Sequence, residues 1–268
     1  MRHTLKDAKR IVVKIGTSSL MYPNGNINLA GIDELAFVLS DLRNQGKEIV
    51  LVSSGAIGVG MNKLHMQKRP SAIPEQQAVA AVGQAALMDI YNQRFLTYSQ
   101  QTAQLLLTRD IVEFPTSRQN VINTLEQLVQ MNIIPIINEN DTVAVEELDH
   151  QTKFGDNDQL SAIVAELVEA DLLIMLSDID GFYSDNPLTN PDATLYPHIS
   201  TITTELMQKA TGKGSRYGTG GMTSKLKAAQ RVLATNSAMV LANGKCPKVI
   251  FAILDGQAVG TLFKEEWP

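Results

Sequence analysis

The sequence predicts an α/β fold with a largely parallel sheet covered by helices on both faces. Three observations carry this expectation. Strand-like and helix-like segments alternate nearly throughout the 268 residues, which is the signature of such a sheet. The strand-like runs are short, apolar and rich in β-branched residues. No internal repeat or low-complexity tract interrupts the alternation.

The elements follow in order. Arg10 to Ile15 reads as a buried strand. Ile32, Leu35, Leu39 and Leu42 keep helical spacing, and Gly46 stands where a helix C-cap belongs. Glu48 to Val52 is the next strand. The Ala-rich stretch from Pro74 to Leu96 reads as one long helix. Gln104 to Leu107 is a short strand, and Val121, Leu125 and Leu128 mark the helix after it. Ile133 to Ile137 is again a strand. Leu160, Ile163, Val164 and Leu167 share one helix face. Leu172 to Leu176 is a strand, Met222 to Ala234 a helix, and Ala238 to Leu241 a strand. The long loop from Gly181 to Pro197 is either an excursion over a site or a connector.

Composition narrows the class. Hydrophobic residues make up 44 % and charged residues 19 %, enough for a sizeable core. No apolar run approaches the roughly 18 residues of a membrane span, and the polar start lacks a signal-peptide pattern. One cysteine, Cys246, leaves no intramolecular disulfide and fits a reducing, cytoplasmic setting. The net charge of −5 comes with no block of Lys or Arg, so neither nucleic acid nor a membrane is an expected partner.

In parallel sheets, ligands bind where loops leave the carboxyl ends of strands. Lys14 closes the first strand, followed by Gly16, Thr17, Ser18 and Ser19. Its charge either meets an anion or snorkels to the rim. Ser53-Ser54-Gly55-Ala56 is either an anion cradle at a helix start or a tight turn. The glycine spacing is not GxGxxG. Asn138-Glu139-Asn140-Asp141 suits an ammonium group, a metal or a helix cap. In Gly155-Asp156-Asn157-Asp158, an aspartate can cap the next helix, hold lysines or bind magnesium. Ser177-Asp178 follows the strand ending at Leu176. Gly218-Thr219-Gly220-Gly221-Met222-Thr223-Ser224-Lys225 opens a late helix. A lysine in a first helical turn is unfavourable unless an anion sits there. The four histidines are scattered, with no metal-ligand spacing, and no Gly-x-Ser-x-Gly elbow occurs.

Taken in order, KIGTSSL, VSSGAIGVG, INENDTV, GDNDQLSA, LSDIDGFYSDNP and GTGGMTSKLKAA resemble the amino acid kinase family over essentially the whole chain. INEND with GDNDQLSA is the subfamily-specific part. It resembles the members that phosphorylate the γ-carboxylate of L-glutamate, the first step of proline biosynthesis. The resemblance implies a single kinase domain over 1–268, a three-layer α/β/α sandwich. An amino-acid lobe would span roughly 1–170 and a nucleotide lobe roughly 171–268. The C-terminal RNA-binding-like (PUA) domain of many relatives is expected to be missing.

The resemblance also implies roles. Lys14, Asp158 and Lys225 would be catalytic, with Asp158 organising the two lysines. Ser54, Gly55, Asn138, Asp141, Asp156 and Asn157 would bind the amino acid. Lys14, Ser177, Asp178, Thr219, Gly220, Gly221, Met222, Thr223, Ser224 and Lys225 would bind ATP. Magnesium is implied, without assigned ligands. Free proline would act as feedback inhibitor through the pocket and the loop Thr142 to Phe154. A homo-oligomer and hand-over of the product to glutamyl-phosphate reductase are expected. The competing readings are a sibling acting on N-acetylglutamate, aspartate or carbamate, and a non-catalytic amino-acid or nucleotide sensor. A carboxylate at Asp141 disfavours an N-acetylated ligand, and a dead sensor would be expected to lose Lys14, Asp158 or Lys225.

Overall fold

A computed structural model describes residues 2–144, 146–147, 150–151, 157–187, 189–210 and 221–265. A short 3-10 helix, Arg2–Asp7, precedes β1 (Arg10–Ile15), which runs into the four-residue helix α1 (Thr17–Leu20). Then come α2 (Leu29–Asn44), β2 (Glu48–Ser53), α3 (Ala56–Lys63), α4 (Ile73–Thr97) and β3 (Thr102–Leu107). These are followed by α5 (Arg109–Glu113), α6 (Pro115–Gln130), β4 (Ile134–Glu139) and the two-residue strands β5 (Glu146–Glu147) and β6 (His150–Gln151). The C-terminal half holds α7 (Asn157–Leu167), β7 (Leu172–Ser177), β8 (His198–Ile199), α8 (Thr204–Ala210), α9 (Met222–Leu233), β9 (Ala238–Asn243), α10 (Val249–Leu254) and β10 (Thr261–Phe263).

One sheet has the order β3-β4-β2-β1-β7-β9-β10-β8. Its first six strands pair in parallel, β10 runs antiparallel to β9, and β8 is parallel to β10. The central register aligns Lys14 with Val52 on one side and Met175 on the other. The carboxyl ends of β4, β2, β1, β7 and β9 therefore lie side by side.

Strand alternation divides the interior into two cores. Ile11, Val13 and Ile15 of β1 pack toward α2, α4 and α10. Val12 packs the other way, with Leu125 of α6, Val164 of α7 and Leu226 of α9. Both faces are covered, which is why each central strand reads as a continuous apolar run. On α2, Leu35 and Leu39 are fully buried, each contributing about 1.5–3 kcal/mol. Asn28 caps this helix by accepting from the Gly31 N–H at 3.0 Å. Gly46 ends it at φ +89°, a conformation costly for residues with a Cβ.

Two contacts matter for the site. The helices α3 and α4 touch backbone to backbone: a Cβ on Gly83 would lie 1.8 Å from the Ala56 carbonyl oxygen, and one on Gly60 2.1 Å from that of Val79. At the far edge, Arg2 donates to the carbonyls of Val259 (2.6 Å), Gly260 (2.8 Å) and Pro197 (2.8 Å). That clamp fixes the start of the chain to the last strands.

The strands and helices expected from the sequence are present, most within two residues of the expected bounds. Within the stretch from Gly181 to Pro197, Tyr183 and Leu195 form an isolated antiparallel bridge. No helix among the described residues is long and apolar enough to cross a membrane.

Candidate active site

Lys14 has the same parity as Val12, so it leaves β1 on the face covered by α7 and α9. Asp158 is the second residue of α7, and Lys225 the fourth of α9. The carboxylate lies between the two ammonium groups: Lys14 Nζ is 2.6 Å from Oδ1, and Lys225 Nζ is 2.9 Å from Oδ2. Asp158 is 0 % exposed, and both lysines are buried. Burial alone would raise the Asp158 pKa, but the two lysines overcome it and hold the carboxyl below its ordinary value. Two ammonium groups held on one carboxylate concentrate positive charge at the carboxyl edge of the sheet, a setting that attracts an anion.

The first turn of α9 adds to this. Gly221 is its N-cap, and its first N–H groups have no intrahelical acceptor by helix geometry. Ser224 has a buried hydroxyl with no partner among the described residues, and its carbonyl accepts from Gln159 of α7 at 2.8 Å. Met222 packs against the core, and the Thr223 hydroxyl donates to the Ala210 carbonyl at 3.2 Å. Both of these side chains are thus engaged by the protein. An added Cβ on Gly16 would come 3.5 Å from Lys14 Nζ, an ordinary contact, so this glycine keeps the space beside the ammonium open.

On the opposite face of the sheet edge lies a cluster of amides. Asn157 is the first residue of α7, next to Asp158. Its Nδ2 faces the Ser54 hydroxyl at 2.9 Å, Asn138 Oδ1 at 2.9 Å and the Ser53 carbonyl at 3.2 Å. Its Oδ1 is buried, with no partner among the described residues. Asn138 points from β4 toward α4, where its Nδ2 donates to Gln84 Oε1 at 2.8 Å. Ser53 and the fully buried Tyr91 share a hydroxyl pair at 2.8 Å, and burial pushes the Tyr91 phenol upward, so it stays neutral. Gly55, at φ +102°, turns the chain from β2 into α3. Asp141 sits in the turn after β4, where Val143 and Ala144 donate backbone N–H groups to the Asn140 carbonyl.

Further along the edge, the buried Ser177 hydroxyl donates to Asp178 at 3.0 Å, and the Gly244 N–H donates to the Ser177 carbonyl at 2.7 Å. Asn243 donates to Asp180 at 2.8 Å. The structure therefore gathers Lys14, Asp158 and Lys225 into one cluster, and Ser54, Asn138 and Asn157 into a second. Ser177 ends β7, the neighbour of β1, and Asp178 follows it. Asp156, Thr219 and Gly220 lie outside the described residues. Gln84, Tyr91 and Gly244 escaped the sequence reading. The available signal for Gln84 was a polar residue within the apolar row Ala80, Leu87, Tyr91 and Phe95 of α4.

A parallel sheet with a buried cationic cluster and an adjoining amide pocket at its carboxyl edge defines a site for joining a polyanion to a small polar molecule. The amino acid kinase family pattern matches residues 9–243, and the chain belongs to that family. It is 73 % identical over 263 residues to a glutamate 5-kinase of Enterococcus faecalis, covering 98 % of this chain and 97 % of that one. A glutamate 5-kinase of Listeria innocua is 62 % identical over 270 residues, covering 100 % and 98 %. Among solved structures, the product complex of T. acidophilum isopentenyl phosphate kinase superposes with a TM-score of 0.67 at 18 % identity, covering 95 % of this chain and 100 % of that one. That last likeness is one of fold.

Proposed function

We propose that this chain transfers the γ-phosphoryl group of ATP to the γ-carboxylate of L-glutamate, giving L-glutamyl 5-phosphate, the first step toward proline. The observation that carries the reading is the buried Lys14–Asp158–Lys225 cluster, one peptide bond from the amide pocket around Asn157. The two glutamate 5-kinases support the choice of acceptor.

The chemistry follows from charge. A carboxylate is already a nucleophile at neutral pH, so no general base is needed. The barrier lies in bringing it against a polyphosphate. In-line phosphoryl transfer needs positioning and charge neutralisation rather than covalent help. Lys14 and Lys225 supply charge where the transferring group gains it, and Asp158 fixes both ammonium groups before reaction. Ser54, Gly55, Asn138, Asp141, Asp156 and Asn157 hold the amino acid, and the Asp141 carboxylate pairs with its ammonium. Ser177, Asp178 and the stretch from Thr219 to Lys225 hold ATP. On this division, residues up to about 170 form the amino-acid lobe and the remainder the nucleotide lobe.

Magnesium fits as a passenger on the nucleotide. Among the described residues no three His, Cys, Asp or Glu side chains form a metal cage, and both Asp158 oxygens face lysines. Such an ion would be held mainly by phosphate oxygens and water, with one or two carboxylates, and would neutralise polyphosphate charge. Free proline carries the same α-carboxylate and a ring ammonium, so it would compete in the acceptor pocket. The acyl phosphate product hydrolyses readily, which favours direct consumption by a reductase. A homo-oligomer completes the reading by family resemblance.

The test is ADP release with glutamate, N-acetylglutamate, aspartate and uridylate as acceptors. Glutamate is expected to be preferred by at least about 100-fold, because a site built to hydrogen-bond an ammonium rejects a ligand that lacks it. Asp141→Asn should raise the glutamate KM at least about tenfold and leave the ATP KM within about twofold. Equal changes in both constants would remove Asp141 from the acceptor site, and a preference for N-acetylglutamate would overturn the assignment.

A further inference from the structure

We infer that Gln84, on α4, is a positioning residue for the acceptor pocket: its side-chain carbonyl sets the orientation of the Asn138 amide and, through it, that of Asn157. The inference rests on the proposed function. Gln84 is 7 % exposed, and its helix neighbours Leu87 and Tyr91 are buried in the apolar core. A polar side chain in that place is costly unless it is hydrogen-bonded. Its Oε1 accepts from Asn138 Nδ2 at 2.8 Å.

That bond decides the rest of the chain of amides. With Asn138 Nδ2 committed to Gln84, Asn138 Oδ1 is left to accept from the Glu139 N–H at 2.9 Å and from Asn157 Nδ2 at 2.9 Å. With Asn157 Nδ2 committed in turn, Asn157 Oδ1 is the buried acceptor left unused among the described residues. An amide oxygen in that position attracts an N–H donor such as the ammonium of an amino acid. Without the Gln84 carbonyl, Asn138 Nδ2 loses its acceptor, and the amide is held only by the bonds its Oδ1 accepts from the Glu139 N–H and Asn157 Nδ2. A looser Asn138 would in turn loosen Asn157, left with the Ser53 carbonyl and the Ser54 hydroxyl as partners of its Nδ2, and would blur the position of the Asn157 oxygen. The adjoining Gly83, held against Ala56 by close backbone contact, keeps Gln84 at the height along α4 from which it reaches β4.

The experiment is steady-state kinetics with glutamate and ATP on Gln84→Met, Gln84→Glu, Asn157→Ala and the double variant Gln84→Met/Asn157→Ala, beside thermal melts. Gln84→Met keeps the bulk but loses the acceptor. It is expected to raise the glutamate KM about tenfold, the scale of one charge-assisted hydrogen bond, with the ATP KM within about twofold. Gln84→Glu keeps an oxygen toward Asn138 and should stay within about threefold of wild type. In the Asn157→Ala background, Gln84→Met should add less than about twofold, because the residue through which it acts is gone. Gln84→Ala carries the same expectation if the methionine variant does not fold. An unchanged glutamate KM in Gln84→Met, a matching rise in the ATP KM, a Gln84→Glu as impaired as Gln84→Met, or full additivity would each overturn the inference. If Asn157→Ala itself leaves the glutamate KM unchanged, the acceptor reading fails, whatever Gln84 does.

Discussion

Lys225→Met and Lys14→Met are each expected to lower kcat by about 100-fold or more, the scale of removing one preorganised charge contact from a transition state. The ATP KM should change much less, since the contact strengthens as charge develops on the transferring group. Stability separates this outcome from simple damage. Removing one lysine still leaves Asp158 paired with the other, so the melting temperature should fall less than for loss of the carboxylate. Asp158→Asn has the opposite balance. It leaves two buried ammonium groups without their shared anion, and should cost about 3–5 kcal/mol as well as kcat. The losses in kcat should be strongly non-additive, because the three groups act as a unit. A folded Lys225→Met protein with wild-type kcat would end this account. Acid provides an independent check. The Asp158 pKa is depressed when folded, so its stabilisation is fully present above the ordinary value of 3.8 and is lost as pH falls through the lowered folded value. Between those limits the unfolded chain binds more protons than the folded one, and stability drops with pH. Melts from about pH 6 to about pH 3 should show a flatter acid limb for Asp158→Asn than for wild type.

Gly83→Ala is expected to be the most damaging single methyl addition in the acceptor half. In a bare helix the change would gain about 1 kcal/mol. Here the new Cβ would sit 1.8 Å from the Ala56 carbonyl oxygen and 2.4 Å from the Gly60 nitrogen. Both are backbone atoms that cannot rotate away. The steric term wins, at about 3 kcal/mol or more, or a melting temperature lower by roughly 6–12 °C in a chain of this size. Surviving protein should also bind glutamate poorly, because α4 carries Gln84 on the next residue. Gly16→Ala is the contrast, since its nearest neighbour would be 3.5 Å away, and it should melt near wild type. A Gly83→Ala protein as stable as wild type would show that α3 and α4 can part without cost.

The sequence made the sheet legible where strands were long and buried on both sides. Arg10–Ile15 and Leu172–Ser177 are six-residue runs of that type. The far edge was hidden because its strands are too short to carry a period: β8 has two residues and β10 three. The apolar stretch Val249–Leu254 forms α10, but six residues of continuous hydrophobicity fit a strand as well as a helix. In the candidate site, the loop motifs drew the eye to Lys14, Asp158 and Lys225, yet no local pattern says that one carboxylate touches both lysines. That contact depends on strand parity and on α7 and α9 packing side by side. Gln84 was missed because the alanines around it on α4 blur the helix face, so a polar residue on the buried side does not stand out.

Asn157 and Asp158 are consecutive residues, one facing the amides and the other the lysines. Consecutive Cα atoms are about 3.8 Å apart, so the residue proposed to recognise the acceptor and the carboxylate between the lysines share a single rigid peptide plane. This leaves little freedom to retune one without disturbing the other. A change of acceptor would therefore come most cheaply from the loops after β2 and β4, where Ser54 and Asp141 can vary independently of the lysine cluster. In such a scaffold the start of α7 behaves as the frozen part and the two flanking loops as the evolvable part, and a redesign for another small acid would begin there.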